Sequence, residues 1–152
     1  ERIPSREQRE LADWLMRQGV DLVIGSHPHV VQPMEFRRGK EGVPDRLVVY
    51  SLGNFISNMS REHTDGGVMV KVVLGRKGLR RYIASAQYSL IYSSRYKNEQ
   101  GKEDIRVVPA ASWSGKNQNS SFSVDSALIK YVNNTRLFLK GNNKEVEEYI
   151  FE

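Results

Sequence analysis

The N-terminal region has apolar residues at helical spacing. The repeat is carried by three residues, Leu11, Trp14 and Leu15. Ser5 and Gln8 precede it at the offset of a capping box, in which each residue's side chain bonds the other's backbone N–H. Gly19 supplies a stop signal. The pattern therefore predicts an amphipathic helix over residues 6–18.

Two short apolar runs follow this helix, and each ends at a glycine. The first run, 20–24, is apolar on both faces apart from Asp21, which is typical of an interior strand covered by helices. The second run, 47–52, stops at Gly53. In open α/β sheets ligands bind at the carboxyl ends of the strands. The residues after the first run are therefore candidates for a site.

Alternation of apolar and polar residues begins at Val68 and resumes after a glycine-containing turn at 75–78. This pattern predicts a β-hairpin over 68–92, and 105–109 fits a further short strand. The region 111–122 is a polar loop. Apolar residues from Leu128 to Leu139 mark one face of a helix, and Val146, Tyr149 and Ile150 indicate the start of another. We expect three segments, namely a domain over 1–110, the loop 111–122 and a helical segment over 123–152.

The composition limits the class of protein. The chain has 152 residues, 39% of them hydrophobic, which is enough for one core. No apolar run reaches the roughly 18 residues that a membrane span needs, so we expect a soluble chain. Cysteine is absent, which excludes disulfides and thiolate chemistry. Because the sequence begins with Glu rather than Met, we expect a fragment or a trimmed protein.

The net charge is +5, and the positive residues fall in three clusters. The clusters are Arg37-Arg38-Gly39-Lys40, Arg76-Lys77 with Arg80-Arg81, and Arg95 with Lys97. Such clusters attract polyanions, but they are also typical of solvated turns. No recognition helix, zinc-finger spacing or RNA-binding aromatic signature accompanies them, so we expect no specific nucleic-acid partner.

Two of the three histidines stand at i and i+2 directly after the first apolar run. His27 and His29 follow Gly25 and Ser26, with Pro28 between them. Imidazole is the commonest side-chain metal ligand near neutral pH, so this pair is a candidate metal site. The alternative interpretation is a pair of ordinary loop histidines that bond to backbone.

Two motifs in this order are characteristic of a known family. D-L-V-I-G-S-H-P-H-V-V-Q at 21–32 and V-Y-S-L-G-N-F-I at 49–56 resemble the C-terminal part of the bacterial capsule-synthesis CapA / poly-γ-glutamate biosynthesis family. That family resembles a branch of the calcineurin-like metallophosphoesterases, whose last metal motif is a glycine followed by His-x-His after a strand. The resemblance covers roughly residues 1–75 and fades over 95–152.

The resemblance implies both a fold and a site. The fold would be α/β (α+β), the C-terminal part of a metallophosphoesterase-like αββα sandwich with a β-hairpin and C-terminal helices. Two divalent metal ions of undetermined identity would be bound, with His27 and His29 as ligands. Ser26 and Asn54 would be substrate-binding residues at the same edge, although an Asn after Gly also suits a plain turn. The resemblance assigns no catalytic residue.

Other motifs of that superfamily are missing from this sequence. It contains no D-x-H, no Gly-Asp and no Asn-His pair. Two metal ions need several carboxylate and imidazole ligands, so two histidines are too few. We therefore expect this chain to be the C-terminal portion of a longer protein, inactive alone, with its half-site completed by upstream sequence. Exposed strand edges in such a portion also make a homo-oligomer plausible.

Two function classes follow. In the first, the parent is a metal-dependent phosphoesterase-like hydrolase in capsule or poly-γ-glutamate assembly, acting on an anionic polymer or a phosphate-containing substrate. In the second, it is a non-catalytic assembly protein that kept the fold and holds an anionic polymer on its basic surface. The resemblance implies a place in the bacterial cell envelope or outside the cytoplasm for either class.

Overall fold

A computed structural model describes residues 1–40, 44–111 and 126–150. Its elements, in chain order, are α1 (Arg6–Arg17), β1 (Leu22–Ile24), β2 (Met34–Arg37), β3 (Arg46–Val49), β4 (Gly66–Lys77), β5 (Arg80–Lys97), β6 (Glu103–Pro109), α2 (Ser126–Asn142) and β7 (Glu147–Glu148). Mixed sheets and two helices give the α/β class that the sequence predicts. No helix within the described ranges has the length and apolarity to cross a membrane.

The strands form two sheets. In the first sheet, with order β1-β3-β2, β1 runs parallel to β3 and β2 antiparallel to it. In the second sheet, with order β4-β5-β6, both pairs are antiparallel, and β7 adds to β5 in parallel. A bridge between Gly53 and Gly67 connects the two sheets.

The main core lies between the sheets and α2. It contains Met34, Phe36, Leu47 and Val49 from the first sheet, Val68, Tyr88, Leu90 and Tyr92 from the second, and Leu128, Tyr131, Val132 and Leu139 from α2. A smaller cluster on the opposite face of the first sheet joins Ala12 and Met16 of α1 to Val48 and Tyr50. The first sheet is therefore covered on both faces, as a layered sandwich requires.

The predicted N-terminal helix is confirmed, including its cap. Ser5 N donates to Gln8 Oε1 at 2.8 Å, and Gln8 N donates to Ser5 Oγ at 3.2 Å. The buried face differs from the one that the sequence repeat indicates, because Leu11 and Trp14 are 57% and 50% exposed. Ala12 and Met16 pack inward instead.

The first apolar run forms a strand, but an interior position for it is wrong within the described residues. β1 lies at the edge of its sheet, and its Leu22 and Ile24 side chains are 37% and 46% exposed. The sheet is extended only on the β3 side, so the outer edge of β1 pairs with no strand in the described part of the chain.

The hairpin, the third strand and the helix from Leu128 are confirmed. The second C-terminal helix is wrong, because Glu147–Glu148 form β7. Tertiary pairing decides this: Phe36 N donates to Lys144 O at 2.8 Å and Tyr149 N donates to Tyr88 O at 2.6 Å, which holds the segment extended. The predicted loop 111–122 lies outside the described residues, apart from Ala111.

Candidate metal centre

Gly25 links the end of β1 to the histidine loop. Its N–H donates to Val49 O at 2.7 Å, and its carbonyl accepts from Leu52 N at 3.1 Å, so the pairing with the β3 side continues beyond the strands. A Cβ on Gly25 would overlap the carbonyl oxygen of Tyr50. Only glycine allows this close backbone approach, which places the next residues at the carboxyl end of the sheet.

Both histidines have left-handed backbone conformations. The φ angles are 98° at His27 and 60° at His29, where side-chain-bearing residues are uncommon. Both side chains are exposed, and their ring centroids lie 6.4 Å apart with the planes tilted by 44°. Strained backbone persists where the surroundings enforce it, frequently at functional sites. Here the strain turns two imidazoles toward one region of solvent.

Asn54 fixes the orientation of His29. Asn54 Oδ1 lies 2.8 Å from His29 Nδ1, and Asn54 Nδ2 donates to Thr64 O at 2.9 Å. Because the Nδ2 group must face the Thr64 carbonyl, Oδ1 is the atom that faces the imidazole. An amide oxygen only accepts, so His29 Nδ1 carries the proton. In the neutral ring the lone pair is then on Nε2.

The backbone around Asn54 is fixed by the junction of the two sheets. Gly53 has φ +73°, and Asn54 N donates to Gly66 O at 3.0 Å. Tyr131 Oη donates to Gly67 O at 3.1 Å from α2, and burial raises the pKa of Tyr131, which keeps the phenol protonated as a donor. The side chain of Asn54 is buried, with 6% exposure.

The structure therefore brings Asn54 and His29 together at the edge where the sequence places them. Ser26 precedes the pair and lines a separate cavity of about 180 Å³ between α1 and the first sheet. Its neighbours there are mostly apolar, among them Leu11, Leu15 and Val48. Substrate binding by Ser26 and Asn54 stays a prediction, and the observed contact of Asn54 is with an imidazole.

The sequence reasoning did not identify Thr64, the residue that sets the orientation of Asn54. Thr64 is 4% exposed, and its Oγ1 donates to Arg61 O at 2.6 Å, which closes a tight turn. The signal was weak: one threonine in a polar stretch, before the paired glycines Gly66 and Gly67. His63, in the same turn, lies 3.5 Å from Glu62 rather than beside the other histidines.

Carboxylates do not complete the site within the described ranges. No group of three or more His, Cys, Asp or Glu side chains there is placed to hold a metal ion. Asp13 of α1 is paired with Arg37 of β2 at 2.8 Å. The donor set fits a metal centre in kind, since neutral imidazoles with an oriented lone pair are good ligands, but two of them supply only part of a coordination shell.

Comparison with known proteins gives a family for the N-terminal part. The sequence profile described as bacterial capsule synthesis protein PGA_cap matches residues 1–59, which include both motifs. PGA biosynthesis protein CapA of Bacillus subtilis (strain 168) is 33% identical over 79 residues, covering 52% of this chain and 19% of that protein. Capsule biosynthesis protein CapA of Bacillus anthracis is 33% identical over 75 residues, covering 49% of this chain and 17% of that protein.

The matched region is thus less than a fifth of the length of either relative. No solved structure gave a significant match. The resemblance indicated by the two motifs is confirmed: over its N-terminal half the chain is CapA-like, and residues 1–59 match the family described as bacterial capsule synthesis protein PGA_cap.

Proposed function

We propose that the full-length protein is a metal-dependent, phosphoesterase-like hydrolase of capsule or poly-γ-glutamate biosynthesis, and that this chain supplies His27 and His29 to its metal site. The observation that carries the proposal is the hydrogen bond between Asn54 and His29. Metal-bound histidines almost always donate their second ring N–H to an oxygen acceptor, and Asn54 provides that acceptor in the chain as it stands.

The roles of the residues follow from their positions. His29 presents Nε2, and His27 lies 6.4 Å away between ring centroids, close enough for both to serve one centre. Gly25 holds the loop against the sheet, and the buried Asn54 keeps one ring from rotating. Divalent ions bound there would polarise a phosphoryl oxygen and lower the pKa of a bound water.

The remaining ligands would come from the upstream part of the same protein. Two neutral imidazoles cannot neutralise two divalent cations, and acidic residues of the described chain do not gather beside them. The relatives are about five times longer than the matched region, which leaves ample sequence for further ligands in proteins of that size. Under this proposal the chain alone binds metal weakly and has no activity.

The deciding experiment measures metal content of the full-length protein and its His27→Ala and His29→Ala variants. His63→Ala is the matched control, because that histidine lies in the neighbouring turn with Glu62 as its partner. We expect the first two variants to lose metal together with hydrolysis of a generic phosphodiester, while the control keeps both. Full metal occupancy and unchanged turnover in both His27→Ala and His29→Ala would refute the proposal.

The second candidate is a non-catalytic protein that binds an anionic polymer in the cell envelope. It is favoured by the cationic end of the β4–β5 hairpin, where Arg76, Lys77, Arg80 and Arg81 are all exposed. The two candidates separate in the same variants: polymer binding would survive loss of the histidines, whereas metal-dependent hydrolysis would not. A full-length protein that binds no metal but retains poly-γ-glutamate would favour this second candidate.

A further inference from the structure

The β4–β5 hairpin ends in four cations around an exposed leucine. We call Arg76, Lys77, Leu79, Arg80 and Arg81 the basic tip. Every residue from 76 to 82 is exposed, so this end of the hairpin extends beyond the core. Four positive charges in six residues are a large share of a net charge of +5.

Like charges face each other across the hairpin. Arg76 is paired with Arg81 and Lys77 with Arg80 in the strand register. Directly opposed like charges destabilise a strand pair, so the hairpin alone does not account for this arrangement. Arg76 Nε donates to Gly78 O at 2.7 Å, which helps to close the turn but neutralises nothing.

The other basic clusters have partners, which the tip lacks within the described residues. Arg37 pairs with Glu35 and Asp13, and Arg38 pairs with Glu145. Arg95 donates to the Asn58 side chain at 2.6 Å. None of the four tip cations forms an ion pair with a carboxylate of the described ranges. Arg76, Lys77 and Arg80 are exposed and direct their positive potential at solvent, whereas Arg81 lines a cavity of about 210 Å³ that Asp21 and Asp45 also line.

An apolar side chain occupies the outermost position. Gly78, with φ +63°, and Leu79 form the two-residue turn, and Leu79 is 93% exposed. Leu74, nearer the base, is 69% exposed. Turns usually carry polar residues, because an exposed leucine gains nothing from water. A leucine ringed by cations matches the chemistry of a membrane interface, where an apolar residue enters the acyl boundary and cations meet lipid phosphates.

We propose that the basic tip docks on an anionic phospholipid surface. Leu79 inserts below the headgroups, and Lys77, Arg80 and their two neighbours bind the phosphates. A soluble polyanion would pair with the same cations but would not bury the leucine. Because a lipid surface does both, it is the favoured ligand. The inference does not depend on the metal centre, so it stands or falls separately from the proposed function.

The test uses the full chain and sedimentation with two kinds of vesicle, phosphatidylcholine alone and phosphatidylcholine mixed with phosphatidylglycerol. Binding is expected only to the anionic vesicles. Replacing Lys77→Gln and Arg80→Gln together should weaken partitioning by about 25-fold, at about fivefold for each cation. Leu79→Ser should weaken it by about tenfold while leaving the charge unchanged.

The matched controls are Leu137→Ser and Lys140→Gln on α2, where both residues are exposed. These changes should leave partitioning unaltered, and circular dichroism of each variant checks the fold. The proposal is overturned if Leu79→Ser binds anionic vesicles as well as the parent does. It is also overturned if soluble poly-γ-glutamate binds the tip with the same loss in the charge variant and no dependence on Leu79, since the ligand is then a polyanion.

Discussion

Asn54 Oδ1 lies 2.8 Å from His29 Nδ1, although 25 residues separate the two in sequence. The contact joins the loop after β1 to the loop after β3, and Thr64 O holds the Asn54 amide from the opposite side. A rigid acceptor of this kind sets the ring orientation before any ligand arrives. It therefore links the junction of the two sheets to the chemistry of the histidine pair.

We expect Asn54→Ala to weaken metal binding in the full-length protein by about 10- to 100-fold, because His29 loses the acceptor that orients it. A chelator competition titration measures the change. Asn58→Ala is the control, since Asn58 bonds Arg95 rather than a histidine. If the Asn54→Ala protein folds and binds metal with unaltered affinity, Asn54 does not contribute to metal binding.

Gly25 gives a test of how the site is built. We expect Gly25→Ala to destabilise the protein by about 1–3 kcal/mol, because the new methyl group meets the Tyr50 carbonyl, which the adjoining strands hold in place. Gly141→Ala in α2 is the matched control, with nothing within 4 Å of the added carbon. It should change stability by less than about 0.5 kcal/mol, because Gly141 is exposed in the last turn of α2. Urea denaturation measures the free energy of unfolding of both variants. Equal changes in the two would contradict the crowding at Gly25.

The parts of the fold that depend on neighbouring residues could be predicted from the sequence. The capping box at Ser5 needs only Gln8, and the apolar runs that become β1 and β3 need no partner to be recognised. The order of the two motifs likewise placed His29 and Asn54 at one edge. The remaining features depend on pairing between residues that are far apart in the sequence.

The β4–β5 hairpin shows this limit. Val73 pairs with Ser85 and Leu74 with Ile83, so Ala84 has no partner across the strands. The bulge reverses which side chains face the core: Ile83 and Ala86 are both buried, although an uninterrupted alternation would place them on opposite faces of the strand. A bulge depends on two strands together, and one strand's alternation cannot reveal it.

The hydrogen bond at Asn54 was hidden for a related reason. Its second partner is a backbone carbonyl, that of Thr64, and any residue type has one. The same holds at the C-terminus, where Lys144 pairs with the backbone of Met34 and Phe36 and prevents a second helix. Hydrogen bonds to backbone groups therefore cannot be predicted from the composition or the spacing of residues.

The ion pairs of Glu35 make the stability of the fold depend on pH. This buried carboxylate faces Arg37 at 2.9 Å, Arg9 at 3.3 Å and Lys144 at 3.4 Å. Burial raises the pKa of Glu35, but the hydrogen bond from Arg37 and the charges of Arg37 and Lys144 outweigh it, so the pKa lies below its ordinary value.

A carboxylate with a lowered folded-state pKa stabilises the fold above its unfolded pKa, and this contribution is lost as the pH falls through the folded value. We expect Glu35→Gln to cost about 1.5–3 kcal/mol at neutral pH, as for a hydrogen bond to a charged group, and less below a pH of about 4. Glu10→Gln, from an exposed pair with Arg6, is the control and should change stability little at any pH. A Glu35→Gln difference that stays constant down to the acid transition would contradict this account.

The exposed apolar residues of α1 give the last prediction. Leu11 and Trp14 are 57% and 50% exposed, on the face of the first sheet where Val23 of β1 packs against α1. We propose that the upstream part of the same protein covers this surface. Trp14→Ser should then cost about 1.5–3 kcal/mol more in the full-length protein than in this chain alone, because the exposed half of the indole would be buried only in the longer protein. Denaturation of both lengths measures the difference.

Leu137→Ser is the control for both lengths, since that leucine is exposed on α2, away from the patch. A second copy of the chain is the competing cover for this surface of α1. In that case the Trp14→Ser cost would appear in the short chain and grow with protein concentration, because only association would bury the indole. An equal cost in both lengths would mean that the exposed half of Trp14 stays in water in the longer protein too, which would contradict the proposed cover.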